Sequence, residues 1–165
     1  MAKIKLDSLV KTFQKNLLSY LYMLESEFQE VNAFISELKS YRPFILDVRE
    51  STKIQNALNI TVIISYARNF KTSYGFNNIK EVSEALIQDF SKMEKAFHKK
   101  IIKLRDKEFA HSDSSSNDIQ IYTEGLFSHS RKVVRELLEK DDLKMLSTMV
   151  GKIRKQIEYQ IKLLK

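Results

Sequence analysis

The chain lacks cysteine and has only three glycines and one proline among its 165 residues. The absence of cysteine excludes disulfides, thiolate metal sites and cysteine nucleophiles, and it fits a reducing cytosol. Sheet proteins use glycine and proline in their many turns, so this scarcity predicts long helices with few connections. The start of the chain lacks the pattern of a signal peptide. The longest apolar run, near residues 59–65, is far shorter than the ~20 residues of a membrane-spanning helix. We therefore expect a cytoplasmic protein.

Long helices are also what the apolar residues predict, because they recur every three or four positions. The predicted helices cover residues 4–39, 51–72 and 83–110, and a last helix begins at Asp141, which we expect to cap it. Alternation after Ile119 predicts a short β-hairpin between the third and last helices. The expected fold is all-α, a single domain over residues 1–165 with four main helices in an up-and-down bundle.

The same spacing predicts which side of each helix faces the core. On the first helix the stripe comprises Leu6, Val10, Phe13, Leu17, Leu21, Leu24, Phe28, Val31, Ile35 and Leu38. On the second helix it comprises Ile54, Ala57, Leu58, Thr61, Ile64 and Ala67. On the third helix it comprises Leu86, Phe90, Met93, Phe97, Ile101 and Leu104, with Ser83 as the expected cap.

The net charge of +7 is unevenly distributed along the chain. Residues 92–107 carry seven basic and two acidic side chains, whereas residues 1–40 carry five of each. A concentration of cations on one helix favours a phosphate-bearing partner. A charged surface that only keeps the protein soluble is the alternative interpretation. The RNA-binding candidates on this helix are Lys99, Lys100, Lys103 and Lys107.

Several familiar catalytic motifs are missing from the sequence. There is no HExxH pair, no glycine-rich phosphate loop and no nucleophile elbow, although a Ser–His–Asp arrangement stays open. The three histidines share no metal-binding spacing, so we expect no metal site and no cofactor. His98 follows the core-facing Phe97 and is interpreted as structural, and His129 is interpreted as a surface residue.

Arg105 and His111 stand six positions apart at the predicted end of the third helix. In a continuous helix their side chains would point about 120° apart. The segment "HSDSSSND" disfavours helix, so the chain can turn after Ala110 and bring His111 back beside Arg105. A guanidinium holds two phosphate oxygens, and an imidazole moves protons near neutral pH. Such a pair suits phosphodiester cleavage. RNA suits best, because its own 2′-OH can attack without a metal.

Asp106 could orient the histidine or pair with a nearby lysine. The alternative for the whole group is simpler: Arg105 forms a surface ion pair, and His111 caps the end of the helix. Spacing alone does not separate these interpretations.

The phrase "LRDKEFAHSD" resembles the R-x4-6-H motif of the HEPN superfamily, whose members are helical bundles. Arg105 and His111 enclose five residues, and the first of these is Asp106. The segment "YARNFKTSYG", residues 66–75, is also similar to the end of the second helix in some members. The resemblance implies a homodimer with a composite site, and metal-independent endoribonuclease activity. In that role Arg105 would bind the phosphate, His111 would transfer protons and Asp106 would support them.

HEPN proteins of this kind are often toxins or phage-defence effectors. The expected partners are RNA and a second copy of the chain, with an antitoxin or a nucleotidyltransferase as a further option and no membrane. Tyr66, Arg68 and Asn69 form an outer group of RNA-binding candidates, for which a solvated helix end is the alternative.

Two other functions compete with the ribonuclease. One is a non-catalytic HEPN-like helical interaction module that binds RNA, a nucleotide or a protein partner. The other is a structural dimer that pairs through the long first helix.

Overall fold

The structure is a computed structural model that describes residues 2–41, 52–70, 79–106, 119–124, 127–132 and 136–165. The described residues are mostly helical, which confirms the predicted all-α class. The helices are α1 (Ala2–Ser40), α2 (Lys53–Arg68), α3 (Ile79–Leu86), α4 (Lys92–Leu104) and α5 (Lys140–Leu163). Two strands, β1 (Ile119–Glu124) and β2 (Phe127–Lys132), lie between α4 and α5 in the sequence.

The core is built mainly on α1 and α5. The predicted stripe of α1 is buried from its fifth member onward, at Leu21, Leu24, Phe28, Val31, Ile35 and Leu38. The matching stripe of α5 is buried at Leu143, Leu146, Val150, Ile153, Ile157 and Ile161. Both stripes consist of large aliphatic and aromatic side chains, so their burial is the main apolar contribution to folding, at about 1.5–3 kcal/mol for each side chain.

Helices α1 and α5 run antiparallel. Arg154 donates a hydrogen bond to Glu25 over 2.8 Å, and the amino group of Lys165 lies 5.7 Å from the ring centre of Tyr22. Tyr22, which is nearer the start of α1 than Glu25, thus contacts a residue nearer the end of α5. The start of α1 and the end of α5 therefore lie at the same end of the bundle.

Helix α1 is the longer of the two, with 39 residues against 24, a difference of about 20 Å. Phe13 is in line with the buried Leu24, since eleven residues make three full turns to within about 20°. Even so, Phe13 is 54% exposed, and Leu17 is only half-buried. The apolar stripe of α1 therefore continues past the part of the helix that α5 covers. The stripe's first two members, Leu6 and Val10, have side chains outside the described part.

Helix α2 begins with a capping box. The Thr52 hydroxyl accepts from the Gln55 amide at 3.1 Å, and the Gln55 side chain accepts from the Thr52 amide at 3.1 Å. Residues Ser51 and Thr72, the predicted ends, lie outside the described residues, but the helix already ends at Arg68 with Asn69 as its C-cap, so the predicted end is too late. The predicted core face is wrong at Ile54 and Ala57, which are exposed, whereas Ala67 is buried as predicted and Leu58, Thr61 and Ile64 are half-buried. The buried side chains are Gln55, Asn59, Val62, Ile63, Ser65, Tyr66 and Ala67.

Asn59 explains why a polar position faces inward. Its side-chain amide donates to the carbonyl of Leu138 at 2.9 Å, and its oxygen accepts from the Leu138 amide at 3.0 Å. One buried side chain thereby satisfies both backbone groups of a residue 79 positions away. This pair of bonds holds the segment before α5 against α2.

The predicted third helix is divided, so the structure has five helices where four main helices were expected. Helix α3 ends at Leu86, and α4 begins after Ser91 rather than near Ser83. Ser91 and Glu94 form a capping box, with amide-to-side-chain bonds of 3.2 and 2.7 Å. The prediction that Met93 faces the core is also wrong, since it is 70% exposed. The other five predicted positions, from Leu86 to Leu104, are buried.

Helices α4 and α5 also run antiparallel. Glu94 pairs with Lys152 at 2.8 Å, and Lys100 approaches Asp142 at 3.9 Å. The end of α4 therefore lies beside the start of α5. That start is capped at Glu139, whose amide donates to Asp142 at 3.1 Å, rather than at Asp141 as expected.

The strands β1 and β2 pair antiparallel in a register that joins Ile119 to Lys132 and Glu124 to Phe127. Residues 125–126 lie outside the described residues, as do the strand side chains, including that of His129. The hairpin connection and the up-and-down order of the helices stay predictions.

Candidate functional site

Arg105 and Asp106 lie at the end of α4, where the sequence placed them. Arg105 is the C-terminal cap residue, and its backbone amide is shared between the carbonyls of Ile101 and Ile102. The helix thus loosens at the arginine, because one donor serves two acceptors. Because α4 ends beside the start of α5, Arg105 and Asp106 lie at the end of the bundle that contains both of these helix termini.

The two side chains form an ion pair. Nη1 of Arg105 donates to Oδ1 of Asp106 at 3.0 Å, and the side chains are 27% and 34% exposed. Asp106 was expected to support the histidine or to pair with a lysine, and here it binds the arginine. An ion pair with this exposure contributes only about 0–1 kcal/mol. A phosphate can therefore replace the carboxylate on the guanidinium at little cost.

The rest of the predicted site is not among the residues that the structure describes. His111 and Lys107 lie outside the described residues, so the approach of His111 to Arg105 stays a prediction. Of the predicted catalytic residues, the described part of the chain contains Arg105 and its carboxylate neighbour Asp106.

The lysines of α4 differ in their surroundings. Lys100 donates to Glu136 at 2.6 Å, and this hydrogen bond is the main cause that raises the pKa of Lys100. Lys99 and Lys103 are exposed, and no carboxylate of the described residues pairs with them. Of the three, Lys99 and Lys103 are available to a phosphate, whereas Lys100 joins α4 to the segment that leads into α5.

The outer group on α2 is mostly turned inward. Tyr66 is fully buried, and Asn69 is buried with its amide bonded to the carbonyl of Ser65 at 2.9 Å. Arg68 is exposed but pairs with Glu27 at 3.3 Å and Glu30 at 3.7 Å on α1. Contact between RNA and either Tyr66 or Asn69 would require this part of the bundle to open.

Tyr66 is instead part of a buried cluster that includes His98. The Tyr66 hydroxyl lies 2.9 Å from Nδ1 of His98. The imidazole also packs edge-on against Phe70, with ring centres 4.5 Å apart. This cluster fixes α4 against α2. One signal for it was present in the sequence, since His98 lies three residues before Ile101, which belongs to the predicted core stripe.

Burial sets the protonation of this cluster. It lowers the pKa of His98 to about 4, and the positive charge of Lys99 adds to the effect. It also raises the pKa of Tyr66, with a further contribution from the negative charge of Glu94. Both side chains are therefore neutral at pH 7, and His98 serves as a structural group there rather than as a proton donor.

Glu94 is the most buried carboxylate of the described residues, at 8% exposure. Burial alone would raise its pKa, but hydrogen bonds from Lys152 and Ser91 outweigh it and lower the pKa. Glu94 is therefore ionised at pH 7 and fully engaged in joining α4 to α5.

Among the described residues, no group of three or more side chains could hold a metal ion. None of the described helices is long and apolar enough to cross a membrane. Comparisons of the chain with protein-family models, with curated proteins and with solved structures found no match. The resemblance to the HEPN superfamily therefore rests on the residues that carry the motif.

Proposed function

We propose that the chain is a metal-independent endoribonuclease of the HEPN type. It acts as a homodimer in which Arg105, Asp106 and His111 of the two copies form one composite site. The proposal includes an up-and-down bundle with a β1–β2 hairpin and a role as a cytoplasmic toxin or phage-defence effector. The observation that carries it is the partly exposed Arg105–Asp106 ion pair at the end of α4.

The proposed reaction needs no metal. The 2′-OH of the RNA attacks the neighbouring phosphorus, and its proton passes to one His111. The bond from phosphorus to the 5′ oxygen breaks, and the second His111 donates a proton to that oxygen. The products are a 2′,3′-cyclic phosphate and a 5′-OH end. Arg105 binds the non-bridging oxygens, where negative charge grows in the transition state.

The test is cleavage of mixed cellular RNA in EDTA. We expect wild type to cut, leaving 2′,3′-cyclic phosphate ends. His111→Ala should lose at least ~100-fold in rate, because a proton-transfer residue contributes ~100-fold or more. Arg105→Lys should also lose activity, since lysine keeps the charge but not the fork. His129→Ala is the matched control and should cut normally. A His111→Ala variant as active as the control would end the proposal.

The second candidate is the non-catalytic module. It is favoured by Lys99 and Lys103, which are exposed and have no acidic partner among the described residues. It predicts salt-sensitive RNA binding without turnover. No cleavage by a folded, dimeric wild type, together with binding that Lys99→Gln and Lys103→Gln weaken, would select it over the nuclease.

A further inference from the structure

A second concentration of positive charge, besides that of residues 92–107, lies at the end of the bundle away from Arg105. We define the basic end as residues 2–23 of α1 together with residues 151–165. These two segments carry nine basic and two acidic residues, a net charge of +7 that equals that of the whole chain. The rest of the sequence is electrically balanced. Antiparallel packing of α1 and α5 places the end of α5 beside Tyr22, and the earlier residues of α1 continue beyond it at the same end of the bundle.

Several cations of the basic end have no acidic partner. Lys152 and Arg154 pair with Glu94 and Glu25. By contrast, Lys155, Lys162 and Lys165 are exposed, and no carboxylate of the described residues pairs with them. These three lysines are at the surface and are available to an anionic partner.

The basic end also exposes apolar side chains. Seven large hydrophobic residues are exposed in the described part of the chain, and five of them belong to this end: Phe13, Tyr22, Met23, Tyr159 and Leu163. Three of the five are aromatic. Exposed aromatic rings among unpaired lysines are the combination with which proteins bind single-stranded nucleic acid, by stacking bases and contacting phosphates.

The rings do not share one plane. Phe13 and Tyr22 are nine residues apart on α1, which places them about 180° apart around the helix. Tyr159 is on a second helix. A membrane surface is engaged by a single face of a helix, whereas a flexible strand can follow rings on several sides of the helix pair.

We propose that the basic end is a binding surface for single-stranded RNA, separate from the site at Arg105. The inference rests on the proposed ribonuclease function, because it assigns the part of the molecule that holds a distant stretch of the substrate. The end of α4 lies beside Asp142, and the basic end extends to Lys165. Asp142 and Lys165 are about 35 Å apart along α5. That distance corresponds to about ten stacked nucleotides, so only longer RNAs reach both places.

The first experiment measures binding to a labelled, unstructured RNA of ~20 nucleotides by fluorescence anisotropy. All proteins carry His111→Ala, so that cleavage cannot interfere. The test variant is Lys155→Gln/Lys162→Gln/Lys165→Gln. The control variant, Lys53→Gln/Lys140→Gln/Lys144→Gln, loses the same charge from exposed positions outside both the basic end and α4. Thermal unfolding confirms that both remain folded.

We expect the Kd of the test variant to rise at least ~10-fold, and the slope of log Kd against log salt to fall by about two, or ~0.7 for each lost phosphate contact. The control should stay within about threefold. Equal Kd values for the test and control variants would overturn the proposal.

A second arm tests stacking at Tyr159. Tyr159→Ala should weaken binding about fivefold or more, as for loss of one stacked base, while the salt slope stays the same. Tyr159→Phe should restore binding, because the ring remains. Tyr159→Ala binding as tightly as wild type would remove stacking from the proposal and leave a surface that only contacts phosphates, which is a different site from the one inferred.

A membrane is the competing partner, and vesicles with about 30% phosphatidylserine test it. Sedimentation of wild type with these vesicles, lost in the lysine variant while the Kd for RNA is unchanged, would overturn the proposal in favour of a membrane surface. The nuclease proposal fails separately. If the wild type binds RNA through the basic end but does not cut it, the nuclease proposal is rejected and the binding surface is supported. If the wild type cuts RNA but substitution of the three lysines does not change its RNA affinity, the nuclease is supported and the binding surface is rejected.

Discussion

The two ends of α5 use charge in opposite ways. Near its start, Lys100 of α4 pairs with Glu136 and Asp142. Further along α5, Lys152 pairs with the buried Glu94 of α4. Near its end, Lys155 and Lys162 are exposed without an acidic partner in the described residues. The first group of charges joins helices to one another. The second group is exposed and is paired with no described carboxylate, and it is the group that we assign to RNA binding.

This difference also separates stability from recognition. A buried polar group is costly to leave without its partner, whereas an exposed lysine can be replaced with little effect on folding. Substitutions at the paired charges should therefore lower stability, and those at Lys155, Lys162 and Lys165 should leave it unchanged.

The largest expected effect comes from Asn59, which holds the segment before α5. Asn59→Ala leaves the buried amide and carbonyl of Leu138 without partners, so we expect a loss of about 2–4 kcal/mol in the free energy of unfolding. Urea denaturation at pH 7 measures it. Gln29→Ala, at an exposed site on α1, is the control and should change stability by less than about 0.5 kcal/mol. A loss below about 1 kcal/mol at Asn59 would mean that other contacts hold this segment.

The next effect is a pH dependence that arises from His98. Its pKa is about 4 in the folded protein, against ~6.5 when unfolded. As the pH falls below ~6.5, the unfolded state binds the proton first, so stability falls until the pH reaches about 4. We expect a loss of about 1–3 kcal/mol, after allowance for the part of the ring that solvent reaches.

Comparison with His98→Phe isolates this contribution, because carboxylates such as Glu94 also weaken the fold in acid. Urea unfolding at several values between about pH 7 and pH 4.5 should show a smaller decline in the variant than in wild type. Identical declines would assign the acid sensitivity to the carboxylates alone.

The smallest effect comes from comparing a paired lysine and an exposed lysine that lie three residues apart on α5. Lys152→Gln removes the partner of the buried Glu94 and should lower stability by about 1–2 kcal/mol. Lys155→Gln removes an exposed charge and should stay within about 0.5 kcal/mol of wild type. Thermal or urea unfolding of both variants measures the contrast. Equal effects would show that the Glu94–Lys152 pair adds nothing beyond an ordinary surface charge.

The long helices could be predicted because their apolar stripes are continuous and aliphatic. The stripe predicted for α1 matches the buried residues from Leu21 onward. The face of α2 could not be predicted, because Asn59 faces inward only through its bonds to Leu138, a contact that no local pattern contains. The break before α4 was present in the sequence as Ser91 and Glu94, the spacing of a capping box. Periodicity concealed it, since Phe90 and Phe97 are buried on either side of Ser91.

The candidate site was predictable only in part for a similar reason. Arg105 and Asp106 come at the end of a helix, which composition reveals. Tyr66 appeared available because polar groups replaced an apolar stripe at the end of α2, yet its ring fills the core and its hydroxyl meets His98. A tyrosine serves equally well at a surface or in a core, so only its partner distinguishes the two.

Asp106 makes Arg105 a guanidinium with a resident counter-ion. Any anion that binds there has to compete with a carboxylate covalently tethered one residue away. A chloride ion offers a single point of charge and displaces such a neighbour poorly, whereas a phosphodiester offers two oxygens in the geometry of the fork. Competition from Asp106 thus disfavours the binding of simple anions to Arg105 and favours ligands that engage both donors of the guanidinium at once.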